Sequence, residues 1–253
     1  MTLAQPGSWK SPITTEMLTS AGVSFGYTQT FEGELYWDES RPTENGRNVV
    51  VSRNGGDLLS PPWSASTRVH EMGGLSWLVC NWQQVTGVLF TEKTDQRIYW
   101  VSAGVEPVAV TPVSPTGTLS RYCDFLIRGS EIWCIRETTS GHETHRDLIA
   151  ITAQGDIRTL DSDSHFYAHL ALSPDKNSLA WISWEHPQMP WDGTELRVAK
   201  ISSDGVLENC TVVAGSTTEA VNSPVWANDE TLYYLSDKSG FWNIWENSSL
   251  GKN

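Results

Sequence analysis

The sequence predicts an all-β fold: a β-propeller of four-stranded antiparallel blades, with about five blades present in 253 residues. Three observations carry this reading. Short apolar or aromatic runs, broken by Gly, Asp, Asn and Ser, dominate from about residue 23 onward. These runs fall into a recurring unit: an aromatic-centred strand, a polar loop, a second strand, a tight Gly turn and a short third strand. Anchors of that unit at Glu34, Gly87, Ser130, Ser178 and Glu230 lie 53, 43, 48 and 52 residues apart, close to the length of a propeller blade.

Residues 1–22 form an N-terminal segment with a single helix candidate, Pro12 to Ser20, with Ser11 as N-cap and Pro12 at the first helical position. The first unit then reads Glu34 to Glu39, Asn48 to Ser52 and the Asn54-Gly55-Gly56 turn. The second reads Gly87 to Glu92, Arg97 to Ser102 and Pro107 to Val110. Ser130 to Ile135, Asp147 to Ile151 and Ile157 to Leu160 make the third. The fourth reads Ser178 to Ser183, Glu195 to Ala199 and Glu208 to Val213; the fifth has Glu230 to Leu235 and Trp242 to Trp245. A further strand precedes each anchor, at Val23 to Gln29, Ser76 to Asn81, Arg121 to Leu126, His169 to Ser173 and Pro224 to Ala227. The blades therefore span approximately 23–69, 70–115, 116–165, 166–218 and 219–253, the last lacking its final strand. A lone meander cannot cover both of its faces, and radial stacking buries each against a neighbour. A β-sandwich also uses many short strands, but the repeated order and the Gly turns at equivalent places favour the propeller.

Composition narrows the function classes. The formal net charge is -13, from 17 Lys and Arg against 30 Asp and Glu, and no basic cluster is present to hold a nucleic acid. Thirteen Trp residues suit wide intersheet spaces and are read mainly as packing residues. Cys80, Cys123, Cys134 and Cys210 lack the spacing of a metal or redox motif and read as buried free thiols of a reducing compartment. No signal peptide or apolar membrane-length run is visible, so the expected location is cytoplasmic, without membrane partners.

The chemistry expected of this chain is an absence of catalytic residues, metal and cofactor. The one G-x-S-x-G match, Gly22-Val23-Ser24-Phe25-Gly26, runs into the first strand candidate with no helix after it, so it is not a strand-to-helix nucleophile elbow; there is no H-E-x-x-H and no phosphate-binding glycine loop. His142 and His145 are three residues apart in a polar loop without further ligands, which reads as a solvated loop. Two loops stand out as binding or interdomain surfaces. The first, Glu39 to Arg47, carries Glu39, Arg41, Glu44 and Arg47; it can present an arginine to a carboxylate or brace blade one internally. The second, Trp184 to Thr194, carries His186, Trp191 and Asp192 on either side of the stiffening Pro187 and Pro190. So many large side chains in a connecting loop point to packing over the blade edge or to an interface.

Several strings, in order along nearly the whole chain, resemble the propeller of the prolyl oligopeptidase superfamily, in its acylaminoacyl-peptidase and dipeptidyl-aminopeptidase-like branch. They are Trp9 to Thr14 (WKSPIT), Tyr36 to Val51 (YWDESRPTENGRNVVV), His70 to Gly74 (HEMGG), Leu172 to Asp175 (LSPD), Ser183 to Leu196 (SWEHPQMPWDGTEL) and Leu232 to Trp245 (LYYLSDKSGFWNIW). The resemblance implies part of a larger propeller, of about seven blades, capping an α/β-hydrolase domain that is absent from this sequence. It implies a non-catalytic, substrate-gating and interdomain role, with the hydrolase domain or a peptide substrate as partner. Exposed blade faces in an open run of blades would also favour association of copies. The alternative is a free-standing propeller that binds a protein or peptide.

Overall fold

The computed structural model describes residues 5, 7–8, 10–19 and 22–248. Trp9, in the opening string, lies outside them. The helix in the N-terminal segment is shorter than expected, α1 at Thr15–Thr19. Its cap is Thr14, whose hydroxyl accepts the Met17 N–H at 3.1 Å, while Ser11 accepts the Ile13 N–H at 3.0 Å in a turn before it. Pro12 therefore precedes the helix rather than opening it.

Five antiparallel sheets follow in chain order. The first contains β1 (Ser24–Phe31), β2 (Glu34–Arg41), β3 (Arg47–Ser52) and β4 (Gly56–Asp57). The second contains β5 (Trp77–Trp82), β6 (Val85–Thr91), β7 (Ile98–Ser102) and β8 (Val108–Ala109). Blade three holds β9 (Thr118–Arg128), β10 (Glu131–Ser140), β11 (Glu143–Ile151) and β12 (Ile157–Asp161), and blade four β13 (Phe166–Leu172), β14 (Ser178–Trp184), β15 (Glu195–Ile201) and β16 (Leu207–Gly215). Among the described residues, blade five has three strands: β17 (Val221–Trp226), β18 (Leu232–Ser236) and β19 (Asn243–Asn247). Each sheet is a simple meander, and the first strand of each packs beside the first strand of the next, in the order β1, β5, β9, β13, β17.

The core lies between blades. Phe31, Tyr36 and Val50 of blade one pack with Trp77, Val79 and Phe90 of blade two. On the other face of that second blade, Cys80, Trp82 and Leu89 pack with Tyr122, Phe125, Ile132 and Cys134 of blade three. Trp133, Ile135 and Leu148 then meet Tyr167, Leu179 and Trp181. Finally Ala180, Ile182 and Trp184 meet Val221, Leu232 and Tyr234. Alternating residues of one strand thus feed two different cores, which is why all seven residues of β14 are buried.

A second repeat appears in the first strands. Pairing slips by a bulge at Phe25/Thr28, opposite Trp133/Ile135, at Ala168/Ala171 and at Asn222/Val225. In blades three to five the bulge places Asp124, His169 and Ser223 in the left-handed region, at φ 57°, 54° and 50°. Asp124 uses this geometry to join three blades. Its carboxylate accepts the N–H groups of Leu75 at 2.9 Å and His169 at 2.5 Å, and its own N–H donates to the Leu75 carbonyl.

Two expectations are corrected. Cys80, Cys123 and Cys134 are buried free thiols, but Cys210 is exposed, because it lies on β16, the outer strand of its blade. Glu39, Arg41 and Arg47 are strand residues rather than loop residues. Cross-strand pairing continues to Arg41–Arg47, leaving a connection of five residues that includes the short 3-10 turn Pro42–Glu44.

Candidate functional site

All blades share one strand order, so the connections between second and third strands gather on one rim. The connections leading into each next blade join them there. Lys93 Nζ donates to the Gly46 carbonyl at 2.9 Å, linking two such connections. Both sequence-predicted groups lie on this rim.

The first group comes together as one ionic network. Arg41 sends two hydrogen bonds to Asp57, at 2.6 and 2.7 Å, and two to Glu39, with Glu44 at 3.4 Å. Arg47, itself buried, pairs with Glu44 at 2.5 Å and donates to the carbonyls of Leu59 and Trp63. Trp37 Nε1 donates to Glu39, and this bond holds the Glu39 carboxyl below its usual range, with Arg41 adding to the effect. Asp57 is likewise held low, chiefly by the hydrogen bond from Arg41. Every guanidinium nitrogen of Arg41 is therefore engaged within blade one.

The second group is arranged differently. Asp192 closes its own turn, accepting the Met189 N–H at 3.1 Å and donating its N–H to the Met189 carbonyl at 2.9 Å. Gly193 is required next, since a Cβ there would stand 2.5 Å from the Thr217 backbone. Trp191 is 60% exposed and Met189 is also exposed, leaving an apolar tip on the rim. His186 is itself exposed, its ring lying edge-on to Phe166 at 4.8 Å and near His165 at 5.2 Å. His165 in turn pairs with Glu185.

His186 leads to a cluster that local sequence does not reveal. Glu137 of β10 is 1% exposed, and strand register sets Arg121 of β9 and Arg146 of β11 on either side of it. The two arginines bond its carboxylate at 2.8 and 2.7 Å, and the His70 N–H adds a third bond at 2.9 Å. Arg146 lies 4.3 Å over the Phe166 ring, which stacks on Trp184 with 5° between planes. Against both rings, at 5.4 Å, stands His70, reaching across from the connection before blade two. Burial, with the nearby Arg146 charge, lowers the His70 pKa to about 3. The HEMGG string marked this segment, whereas the Arg121–Glu137–Arg146 row emerges only from the register of three strands.

Among the described residues, no group of three or more His, Cys, Asp or Glu side chains is placed to hold a metal ion, and no helix is long and apolar enough to cross a membrane. No family model matches the chain, and no curated protein matches it. Solved structures do. A Mycobacterium tuberculosis puromycin-hydrolyzing peptidase is 35% identical, with a TM-score of 0.85 over 98% of this chain and 40% of that one. A puromycin hydrolase is 31% identical, with a TM-score of 0.86 over 96% of this chain and 40% of that one. The chain thus spans about two-fifths of the length of these two structures. A gluconolactonase from Xanthomonas campestris, 14% identical at a TM-score of 0.53, shares the fold alone.

Proposed function

We propose that this chain, a β-propeller structurally related to the propeller domain of prolyl-oligopeptidase-family serine peptidases, is the substrate-gating and interdomain portion of a serine-peptidase-like protein. The reading rests above all on one observation: nearly all of the chain superposes on two-fifths of a peptidase, the non-catalytic propeller portion. Hydrolysis is then assigned to a separate α/β-hydrolase domain, and a peptide substrate passes by the propeller rim. The exposed tip at Met189 and Trp191 is the contact proposed for that domain. Within blade one, the Arg41 network is a brace that holds the rim in shape, since its donors are already spent on Glu39, Glu44 and Asp57.

The same reading extends the arc to about seven blades. Pairing places Val225, Tyr233 and Ile244 on the face of blade five turned away from blade four, and all three are exposed. At the other end, Phe25 and Leu35 are exposed on blade one. Those faces are suited to further blades, and a reducing, cytoplasmic setting suits the four free thiols.

A serine-directed fluorophosphonate, applied with an aminoacyl chromogenic substrate, tests the assignment. The chain should show neither labelling nor turnover. Stoichiometric labelling of one serine would overturn it. Sedimentation of the same sample reports whether copies associate through the end faces.

A further inference from the structure

We propose that the segment Val69 to Gly74 is a plug across the propeller axis, in equilibrium between a seated and a released state, and that protonation of His70 releases it. The proposal concerns this chain alone, and its success or failure is independent of the peptidase reading.

The position is axial. A cavity of about 80 Å³ beneath the plug is lined by Tyr27 of blade one, Asp124 of blade three and His169 of blade four, together with His70, Gly73 and Gly74. First strands of blades one and four face a common space only across the axis. The plug closes that space from the rim and bridges three blades: it leads into β5 of blade two, bonds Glu137 of blade three and packs on Phe166 and Trp184 of blade four.

Its seated state is held firmly but carries opposing terms. Val69 is fully buried in the core between blades three and four. Arg121 Nη1 ties the segment down twice, at the Arg68 carbonyl (3.2 Å) and the Glu71 carboxylate (2.6 Å). Against this, His70 and Glu71 are consecutive non-glycine residues in the left-handed region, at φ 57° and 59°. In addition, His70 Nε2 is buried without a hydrogen-bond partner. Strain and an unsatisfied ring nitrogen are both relieved on release, so the seated state stands above a nearby alternative by less than its contacts suggest.

The protonation step follows from the surroundings. The titratable and charged groups facing the plug are Arg146 on β11, Arg121 on β9, Glu137 on β10 and Glu71 and Arg68 on or beside its own segment, with Tyr27 on β1, Cys123 and Asp124 on β9, and Tyr167 and His169 on β13 lining the cavity that His70 shares. The seated ring is neutral, with a pKa near 3 against 6.5 when solvated. A lowered value for a base means that closure is fully stable above 6.5 and weakens as pH falls toward 3. Linkage makes the release equilibrium about 25-fold larger at pH 5 than at pH 7.

Amide hydrogen exchange followed residue by residue between pH 5 and 7.5, corrected for intrinsic chemical exchange, tests this on the whole chain. The reporters are the Glu71 and Gly73 amides, bonded to the Arg68 and Val69 carbonyls, with Cys134 in β10 as the core reference. The expected result is a rise of about 25-fold in opening at Glu71 and Gly73 from pH 7 to 5, without an equal rise at Cys134. In His70→Phe, and independently in His70→Gln, that rise should vanish while the core amides keep their protection. Opening of the segment only together with Cys134, or an equal pH slope in the wild type and both variants, would overturn the plug.

Discussion

At the residue scale, Glu137 illustrates how a buried charge is made tolerable. Its carboxylate receives two guanidinium donors and one backbone N–H, so both oxygens are satisfied in a water-poor site. Removing the charge leaves two arginines facing a neutral group. Glu137→Ala should therefore lower unfolding stability by about 3–5 kcal/mol, as measured by urea denaturation. Arg41 sits in a wetter network. Arg41→Ala should cost about 1.5–3 kcal/mol, and Arg41→Lys should recover only part of it, because an ammonium cannot make the paired bonds to Asp57. The sign of its pH dependence follows from Asp57, whose carboxyl is held below its ordinary 3.8. That contribution is present above 3.8 and is lost as pH falls through the lower folded value. A thermal-denaturation series should show the wild-type advantage over Arg41→Ala shrinking only in that acid range.

At the scale of elements, β14 and its neighbours explain the high Trp content. Trp181 is fully buried toward blade three, while Trp184, three residues later and so on the opposite face, serves the core toward blade five. Trp181→Ala should cost about 3–5 kcal/mol, since rigid strands on both sides limit collapse into the space. Five antiparallel meanders with Gly turns were legible from alternation and spacing, because those signals are local. Strand ends were less legible. Polar pairs such as Arg41 with Arg47 continue a ladder through residues whose composition reads as loop, since backbone pairing is indifferent to side-chain polarity when one face meets solvent. The axial bulges were not visible either; a residue such as His169 takes a left-handed conformation because Asp124 of the preceding blade holds its N–H.

For the whole molecule, the end faces give the most direct test of the arc. Ile244 is 75% exposed on a face with no neighbouring blade among the described residues. Ile244→Asp in this chain should change stability by no more than about 0.5 kcal/mol by urea denaturation. In a longer version in which another blade covers that face, the same change should become strongly destabilising, as for a buried unpaired charge. Equal, small effects in both would remove the case for a continuing arc.

The sequence by itself determined the class of fold, the order of blades and the segments that resemble a peptidase propeller. Each follows from periodicity or from contiguous strings, which need no knowledge of what lies opposite. The candidate residues Glu39, Arg41, Glu44 and Arg47 were legible as a charged cluster for the same reason. Only the tertiary structure decided that their donors are consumed within blade one, that Arg121, Glu137 and Arg146 form a row, and that His70 crosses to blade four. Those contacts reach from 9 positions, between Glu137 and Arg146, and 16, between Arg41 and Asp57, to 114, between His70 and Trp184, and such partners are chosen by strand register and blade stacking. Pair energies of that kind depend on geometry in three dimensions, which alternation along one strand does not encode.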